Sequence, residues 1–190
     1  MSIQFPKEFP TMPLNTQLIL REHSDADVQS FFDYYTPTVN AYIIAPKPGS
    51  VNEAKAEIQY CKNLFHFKRG IYWTIAIAST GQMIGAIGLT TNAMNRRAEL
   101  HYDLDETHWG KGIMSQAIEA VIAFAFKEMG LIRIEAITMD ANTASHKVLT
   151  KNGFAHEGRL HAYKFYDGKP MDVEMFAITA SQHESGHGHS

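Results

Sequence analysis

A single cysteine, Cys61, occurs in the 190 residues. An internal disulfide is therefore excluded, and a reducing cytoplasm suits the chain. No motif near Cys61 would lower a thiol pKa, so it reads as a packed residue and not a nucleophile. The chain also lacks an apolar run long enough to span a bilayer. Its opening residues, Met1 to Pro6, lack the charged and apolar regions of a signal peptide. Positive charge is not in excess: 17 Lys and Arg against 20 Asp and Glu leave a formal net charge of −3. Direct nucleic-acid binding, which needs a basic face, is not expected. No repeat or linker divides the chain. Residues 1–180 read as one domain with an irregular lead-in over 1–15, followed by a flexible tail over 181–190. The tail carries His183, His187 and His189. No Cys or acidic cluster completes a metal site there, so a solvated end is expected and no metal.

What the chain does contain is an alternation of strand and helix patterns. Leu18 to Arg21 is a short strand. Ser24 caps a helix through Val28, Phe31, Phe32 and Tyr35, which Pro37 ends. Ser50 starts a second helix that Gly70 closes. Ile71–Ala78 and Met83–Leu89 read as paired strands about the turn Thr80-Gly81-Gln82. In the next strand, Ala98–Leu104, side chains alternate, so Glu99, His101 and Asp103 share one face and Leu100, Tyr102 and Leu104 the other. Ile113–Met129 is an amphipathic helix capped by Gly130. Ile132–Met139 is a strand, and Asn142 or Thr143 caps a helix to Lys151. Phe154–Tyr166 and Asp172–Ile178 close as a hairpin. The order implies a mixed α/β sheet with a crossover connection.

The segment Trp109-Gly110-Lys111-Gly112-Ile113-Met114-Ser115 joins a strand to a helix. Two glycines let the backbone turn tightly and approach a ligand. The first-turn N–H groups of the following helix have no intrahelical partners. Together they form an anion site suited to a phosphate or pyrophosphate. A P-loop is excluded, because Lys111 lies between the glycines and Ile113 follows Gly112.

This junction, with Asn142-Thr143-Ala144-Ser145 and Lys151-Asn152-Gly153-Phe154 in that order and spacing, resembles the GNAT family of N-acetyltransferases. Within it, the chain is most similar to the ribosomal-protein-alanine N-acetyltransferase branch. The resemblance spans Leu18 to Ile178. The family pattern has Gln or Arg three residues before the first glycine, where this chain has Thr107; the branch often lacks that residue. The resemblance implies a mostly antiparallel central sheet flanked by helices, with a splayed parallel strand pair holding acetyl coenzyme A (acetyl-CoA). It further implies transfer of the acetyl group to a primary amine, with a protein N-terminal α-amine preferred. A small-molecule amine such as a polyamine, amino acid or antibiotic is the alternative acceptor. A non-catalytic coenzyme A-binding module is a second alternative. The oligomeric state is open, a homodimer included.

On this reading the pyrophosphate meets backbone N–H groups of Gly110, Gly112, Ile113 and Met114. Lys111 and Lys147 are candidate phosphate contacts or plain exposed lysines. Trp109 flanks the loop or anchors it in the core, with the anchor preferred. The pantetheine arm resembles an extended peptide and would pair with the free strand edge His101 to Leu104, Tyr102 and Leu104 included. Asn142 offers a donor and an acceptor to an amide of the arm, and is also a helix cap. By the same resemblance, the Ser145 hydroxyl bonds the departing sulfur. Glu99 is the leading candidate base and His101 the second. An α-amine of pKa about 8 needs far less help to deprotonate than a lysine near 10.4. Tyr163, Lys164 and Tyr166 are candidates to shape the acceptor pocket. Direct transfer is expected, since no activated nucleophile is evident.

Overall fold

The structure is a computed structural model that describes residues 2–187. Its strands are β1 (Met12–Pro13), β2 (Leu18–Glu22), β3 (Gly70–Ile77), β4 (Met83–Asn92), β5 (Arg97–Leu104), β6 (Arg133–Thr138), β7 (Ala155–Tyr166) and β8 (Lys169–Thr179). Its helices are α1 (Val28–Tyr34), α2 (Pro37–Asn40), α3 (Val51–His66), α4 (Ile113–Lys127), α5 (Thr143–Lys151) and α6 (Ala180–His187). The strands form an eight-stranded sheet in the order β1-β2-β3-β4-β5-β6-β8-β7. Every neighbouring pair is antiparallel except β5 and β6.

Two layers cover this sheet. On one face Ile71, Trp73, Ile87, Leu89 and Leu100 pack against the apolar stripe of α4, which buries Ile118, Val121 and Ile122. Each such side chain contributes about 1.5–3 kcal/mol on burial. On the other face α1 and α3 cover Met83 and Ala86 through Phe31, Tyr34, Tyr35, Ala54 and Ile58. This second layer stops short of the outer part of β5. There Tyr72, Gly88 and His101 stand in register across three strands. A Cβ on Gly88 would lie 2.3 Å from the Tyr72 ring. The glycine thus lets that ring lie across β4 and stack on His101, with centroids 6.0 Å apart.

Three expectations change. The lead-in is not wholly irregular: β1 pairs with β2, Met12 opposite Leu20. Pro37 does not merely end a helix; it starts α2, where its missing N–H costs nothing and the Thr36 side chain caps the turn. The tail is helical as far as His187, and His183 packs on Phe126 with ring centroids 5.4 Å apart. His189 lies outside the described residues. Among the described residues no group of three His, Cys, Asp or Glu is placed to hold a metal ion. None of the described helices is long and apolar enough to cross a membrane.

The parallel pair is what opens the molecule. β5 and β6 pair only at Arg97–Arg133, Ala98–Ile134 and Glu99–Glu135. Beyond Glu99, β5 stays on β4 as far as Leu104, while β6 continues against β8. A gap opens between them. Asp105 N–H bonds the Ile84 carbonyl at 2.8 Å, whereas the Leu104 carbonyl accepts from the Trp109 indole at 2.8 Å. Backbone groups alternate along a strand. Those of Tyr102 and Leu104 therefore point into the gap.

Candidate active site

A cavity of about 600 Å³ occupies the gap. Its walls are the end of β5, the glycine junction, the first turns of α4 and α5, and the segment around Val39, Tyr42 and Ile43. The junction has the geometry its glycines allow. Gly110 and Gly112 have φ of 73° and 74°, left-handed values that other L-residues adopt at a cost. A Cβ at either would meet no atom within 4 Å, so the space beside them is open to a ligand. Gly112 precedes α4 and no side chain caps that helix. The first-turn N–H groups of α4 are left for an anion.

The side chains of the junction are placed differently from expectation. Trp109 is not a core anchor: it is 41% exposed, and its hold on the fold is the indole bond to Leu104. Its ring meets Tyr42 edge-on at 6.1 Å. Lys111 is exposed and its Nζ donates to the Thr107 carbonyl at 2.8 Å. Lys147 is exposed on α5, at the cavity wall.

On the opposite wall Asn142 is buried. Its Oδ1 accepts from Ser145 N–H at 3.1 Å and its Nδ2 donates to the Tyr42 carbonyl at 3.4 Å. Both ends of the amide are thus engaged in capping α5 and holding Tyr42 across the cavity. Ser145 lines the cavity one turn into the same helix. The Tyr102 phenol oxygen is buried without a hydrogen-bond partner. Burial pushes its pKa up to about 12, while the nearby Ser145 hydroxyl draws it down. An orphaned phenol beside Ser145 is a group for which a bound ligand would complete the bonding.

The other face of β5 holds Glu99, His101 and Asp103. Glu99 Oε1 lies 3.7 Å from His101 Nε2 and 3.8 Å from Lys164 Nζ, and makes no hydrogen bond. The His101 side chain is 41% exposed. Desolvation against the sheet lowers its pKa, opposed by Glu99 and assisted by Lys164. The structure thus brings Glu99, His101 and Lys164 together, but outside the cavity lining. Tyr163 is exposed, and Tyr166 donates to the Ala45 carbonyl at 3.2 Å, tying the hairpin to the segment after α2.

Sequence reasoning passed over Asp103 and Tyr34. Asp103 lines the cavity. Tyr34, buried on α1, donates its hydroxyl to Asp103 Oδ1 at 2.5 Å. Burial is the largest cause raising the Asp103 pKa to about 6, and the Tyr34 bond opposes it. The alternation in β5 put Asp103 on the face of Glu99 and His101, a signal that was present; its phenol partner lies 69 positions away and leaves no trace in local spacing.

A profile described as "Acetyltransferase (GNAT) domain" matches residues 17–155. The chain belongs to the GNAT acetyltransferase family. This GNAT enzyme is an N-acetyltransferase and its donor is acetyl-CoA. It is 35% identical over 172 residues to the uncharacterized N-acetyltransferase YoaA of Bacillus subtilis, covering 90% of this chain and 97% of that protein. It is 33% identical over 116 residues to the ribosomal-protein-serine acetyltransferase of Escherichia coli, covering 60% of this chain and 65% of that protein. A solved ribosomal L7/L12 alpha-N-protein acetyltransferase in complex with coenzyme A superposes with a TM-score of 0.79 at 24% identity, covering 90% of this chain and 98% of that chain. The mixed sheet with one splayed parallel pair is therefore the GNAT fold.

Proposed function

We propose that this GNAT enzyme acetylates a primary amine at a protein N-terminus, by direct transfer from acetyl-CoA bound in the gap between β5 and β6. One observation carries the reading: a single cavity joins the open glycine junction, the unpaired edge of β5 and Ser145. The N-terminal acceptor is supported by the ribosomal-protein acetyltransferase among its relatives. A cytoplasmic setting is part of the same proposal.

Each wall has a part in this scheme. The N–H groups of Gly110, Gly112, Ile113 and Met114 hold the pyrophosphate, because the α4 terminus is uncapped and positive. Lys111, released from Thr107, and Lys147 add point charge to the phosphates. Trp109 flanks the loop. The inward-facing backbone groups of Tyr102 and Leu104 pair with the amides of the pantetheine arm, except for the Leu104 carbonyl, which Trp109 already occupies. Asn142 acts through the start of α5, whose position it fixes, more than through its own amide. The donor supplies an activated acetyl group on a thiol of pKa about 8.5, a leaving group that one hydrogen bond suffices to assist. Ser145 provides that bond, with the unpartnered Tyr102 phenol beside it in the cavity wall. Glu99 and His101 are proton acceptors on the other face of β5, outside the cavity lining.

The test is turnover of acetyl-CoA against a panel of N-terminal peptides, aliphatic polyamines and amino acids. Faster turnover of peptides than of the small amines is expected. Turnover confined to small amines would replace the N-terminal reading with the small-molecule one.

A further inference from the structure

We infer that Asp103 is the seat of the acceptor amine and takes the proton that its ammonium must lose before attack, an inference that rests on the acetyl-transfer reading above. The first ground is position. Asp103 lines the cavity that Ser145 and the glycine junction also line, whereas Glu99 and His101, toward the end of β5 that pairs with β6, are not part of that lining. The second is the absence of a counter-ion. Glu99, Glu135, Glu157, Asp172 and Glu174 each have a Lys, Arg or His within 4 Å. Among the described residues no such partner lies that close to Asp103; it has the Tyr34 hydroxyl instead. The third is the surroundings. The titratable groups that face it are Tyr34 from α1 and Glu57 from α3. Tyr35 and Cys61 stand in the same electrostatic neighbourhood, and Tyr166 of β7 reaches Tyr35. His101 and Glu99 follow on its own strand. Apart from His101, all are neutral or acidic. A carboxylate without a cation, on a residue that lines a cavity, is a receptor for one.

The chemistry follows from the gap in proton affinity. An ordinary aspartate near 3.9 disfavours taking a proton from an α-ammonium near 7.7–8.0 by about ten-thousandfold. At about 6, the value burial gives Asp103, the disadvantage is about a hundredfold. A lysine-type ammonium near 10.4 stays beyond reach by a further factor of several hundred, so the seat selects weakly basic primary amines. The step balances. The ammonium and the carboxylate become a neutral amine and a carboxylic acid. The freed nitrogen lone pair forms the C–N bond to the acetyl carbon as the C–S bond breaks. The sulfur keeps that bond's electron pair and receives the second nitrogen proton by way of Ser145. Asp103 returns its proton to water once the amide has left.

The test compares wild type with Asp103→Asn, which keeps an acceptor for Tyr34, and with Tyr34→Phe. Three acceptors are used: an N-terminal peptide, an aliphatic polyamine, and a hydrazide that is uncharged at neutral pH. Asp103→Asn is expected to lose about 100-fold in kcat/KM on the peptide and to stay within about 3-fold on the hydrazide, whose nitrogen arrives neutral and needs no deprotonation before attack. Activity of wild type on the peptide should rise with pH through about 6, a limb that vanishes in Asp103→Asn. Tyr34→Phe should move that limb upward, because the phenol bond favours the carboxylate. Independently of turnover, the Asp103 carboxyl carbon is titrated by NMR in the protein without acetyl-CoA, with and without peptide or polyamine. Addition of the peptide should shift the titration to lower pH; a shift with the polyamine alone would assign the seat to small amines and overturn the selection of weakly basic ones. Asp103→Asn acting within 3-fold of wild type on the peptide, with its acid limb intact, overturns the inference and leaves the N-terminal reading standing. If no peptide is acetylated by wild type, the N-terminal reading fails, and the inference falls with it only if neither amine moves the carboxyl titration.

Discussion

At the scale of single residues, the cavity wall separates groups that react from groups that hold them. Ser145→Ala removes a hydroxyl while leaving the backbone N–H that Asn142 caps. It should lower kcat by about 100-fold, the lower end of the range for one positioned proton donor, with KM for acetyl-CoA and melting temperature nearly unchanged. Steady-state kinetics of the variant check this, and an unchanged kcat would remove Ser145 from the reaction. Tyr102→Phe makes a sharper case. Its phenol oxygen is buried without a partner, so deleting it relieves an unsatisfied group whose desolvation costs about 1–3 kcal/mol. The variant should melt at the same temperature or higher, yet turn over more slowly by several-fold. A merely structural tyrosine would show the opposite signs. Gly112→Ala tests the junction. The added Cβ meets nothing, but φ of 74° costs a non-glycine residue about 1–2 kcal/mol. A modest loss of stability and a weaker acetyl-CoA dissociation constant by calorimetry are expected together.

At the scale of elements, what was legible in the sequence is what local periodicity encodes. The α4 stripe, the glycine ends of helices and the closing hairpin all follow from residues within a few positions of each other. The hairpin turn shows why: Asp167 and Gly168 both take positive φ, 50° and 72°, which the Asp-Gly pair favours. The glycine junction and Ser145 were legible for the same reason, as short motifs at element starts. Contacts that join distant elements were not. Tyr34 on Asp103, Tyr42 held between Trp109 and Asn142, and Tyr72 lying over Gly88 onto His101 depend on register between strands and on helices that return across the sheet. Pro37 misled because a proline that ends one helix is also a good first residue for the next. Gly88 offers the prediction at this scale. Gly88→Ala puts a methyl 2.3 Å from the Tyr72 ring, so the ring must leave its stack on His101. Overpacking of this kind costs about 1–3 kcal/mol. A lower urea midpoint should accompany a changed His101 titration by NMR, and a variant that keeps both would mean the ring has room to yield.

For the molecule as a whole, two buried titrations of opposite sign bear on stability. His23 is buried, and its Nδ1 lies 2.6 Å from Thr74 Oγ1, which itself donates to Asp27 Oδ2 at 3.0 Å. Burial lowers the His23 pKa from 6.5 to about 4. As pH falls between those values the unfolded chain gains a proton that the folded chain does not, so stability drops, by about 3 kcal/mol at 1.36 kcal/mol per unit. Asp103 works the other way. Its pKa rises from 3.8 to about 6 on folding, so over almost the same window the folded chain takes the proton first and stability increases as pH falls. With a discount for its contact with the open cavity, that gain is about 2 kcal/mol. The two partly offset, and between them wild type should lose only about 1 kcal/mol from pH 6.5 to 4. Asp103→Asn removes one side of the balance. The variant should be more stable than wild type by about 2 kcal/mol at pH 7.5, equal to it near pH 4, and steeply pH-dependent between. Urea unfolding at half-unit pH steps reads this directly. Parallel curves would mean that Asp103 titrates alike in both states. A converging pair would show the active-site carboxylate held at a cost to the fold, which is the expected mark of a residue kept for chemistry and not for stability.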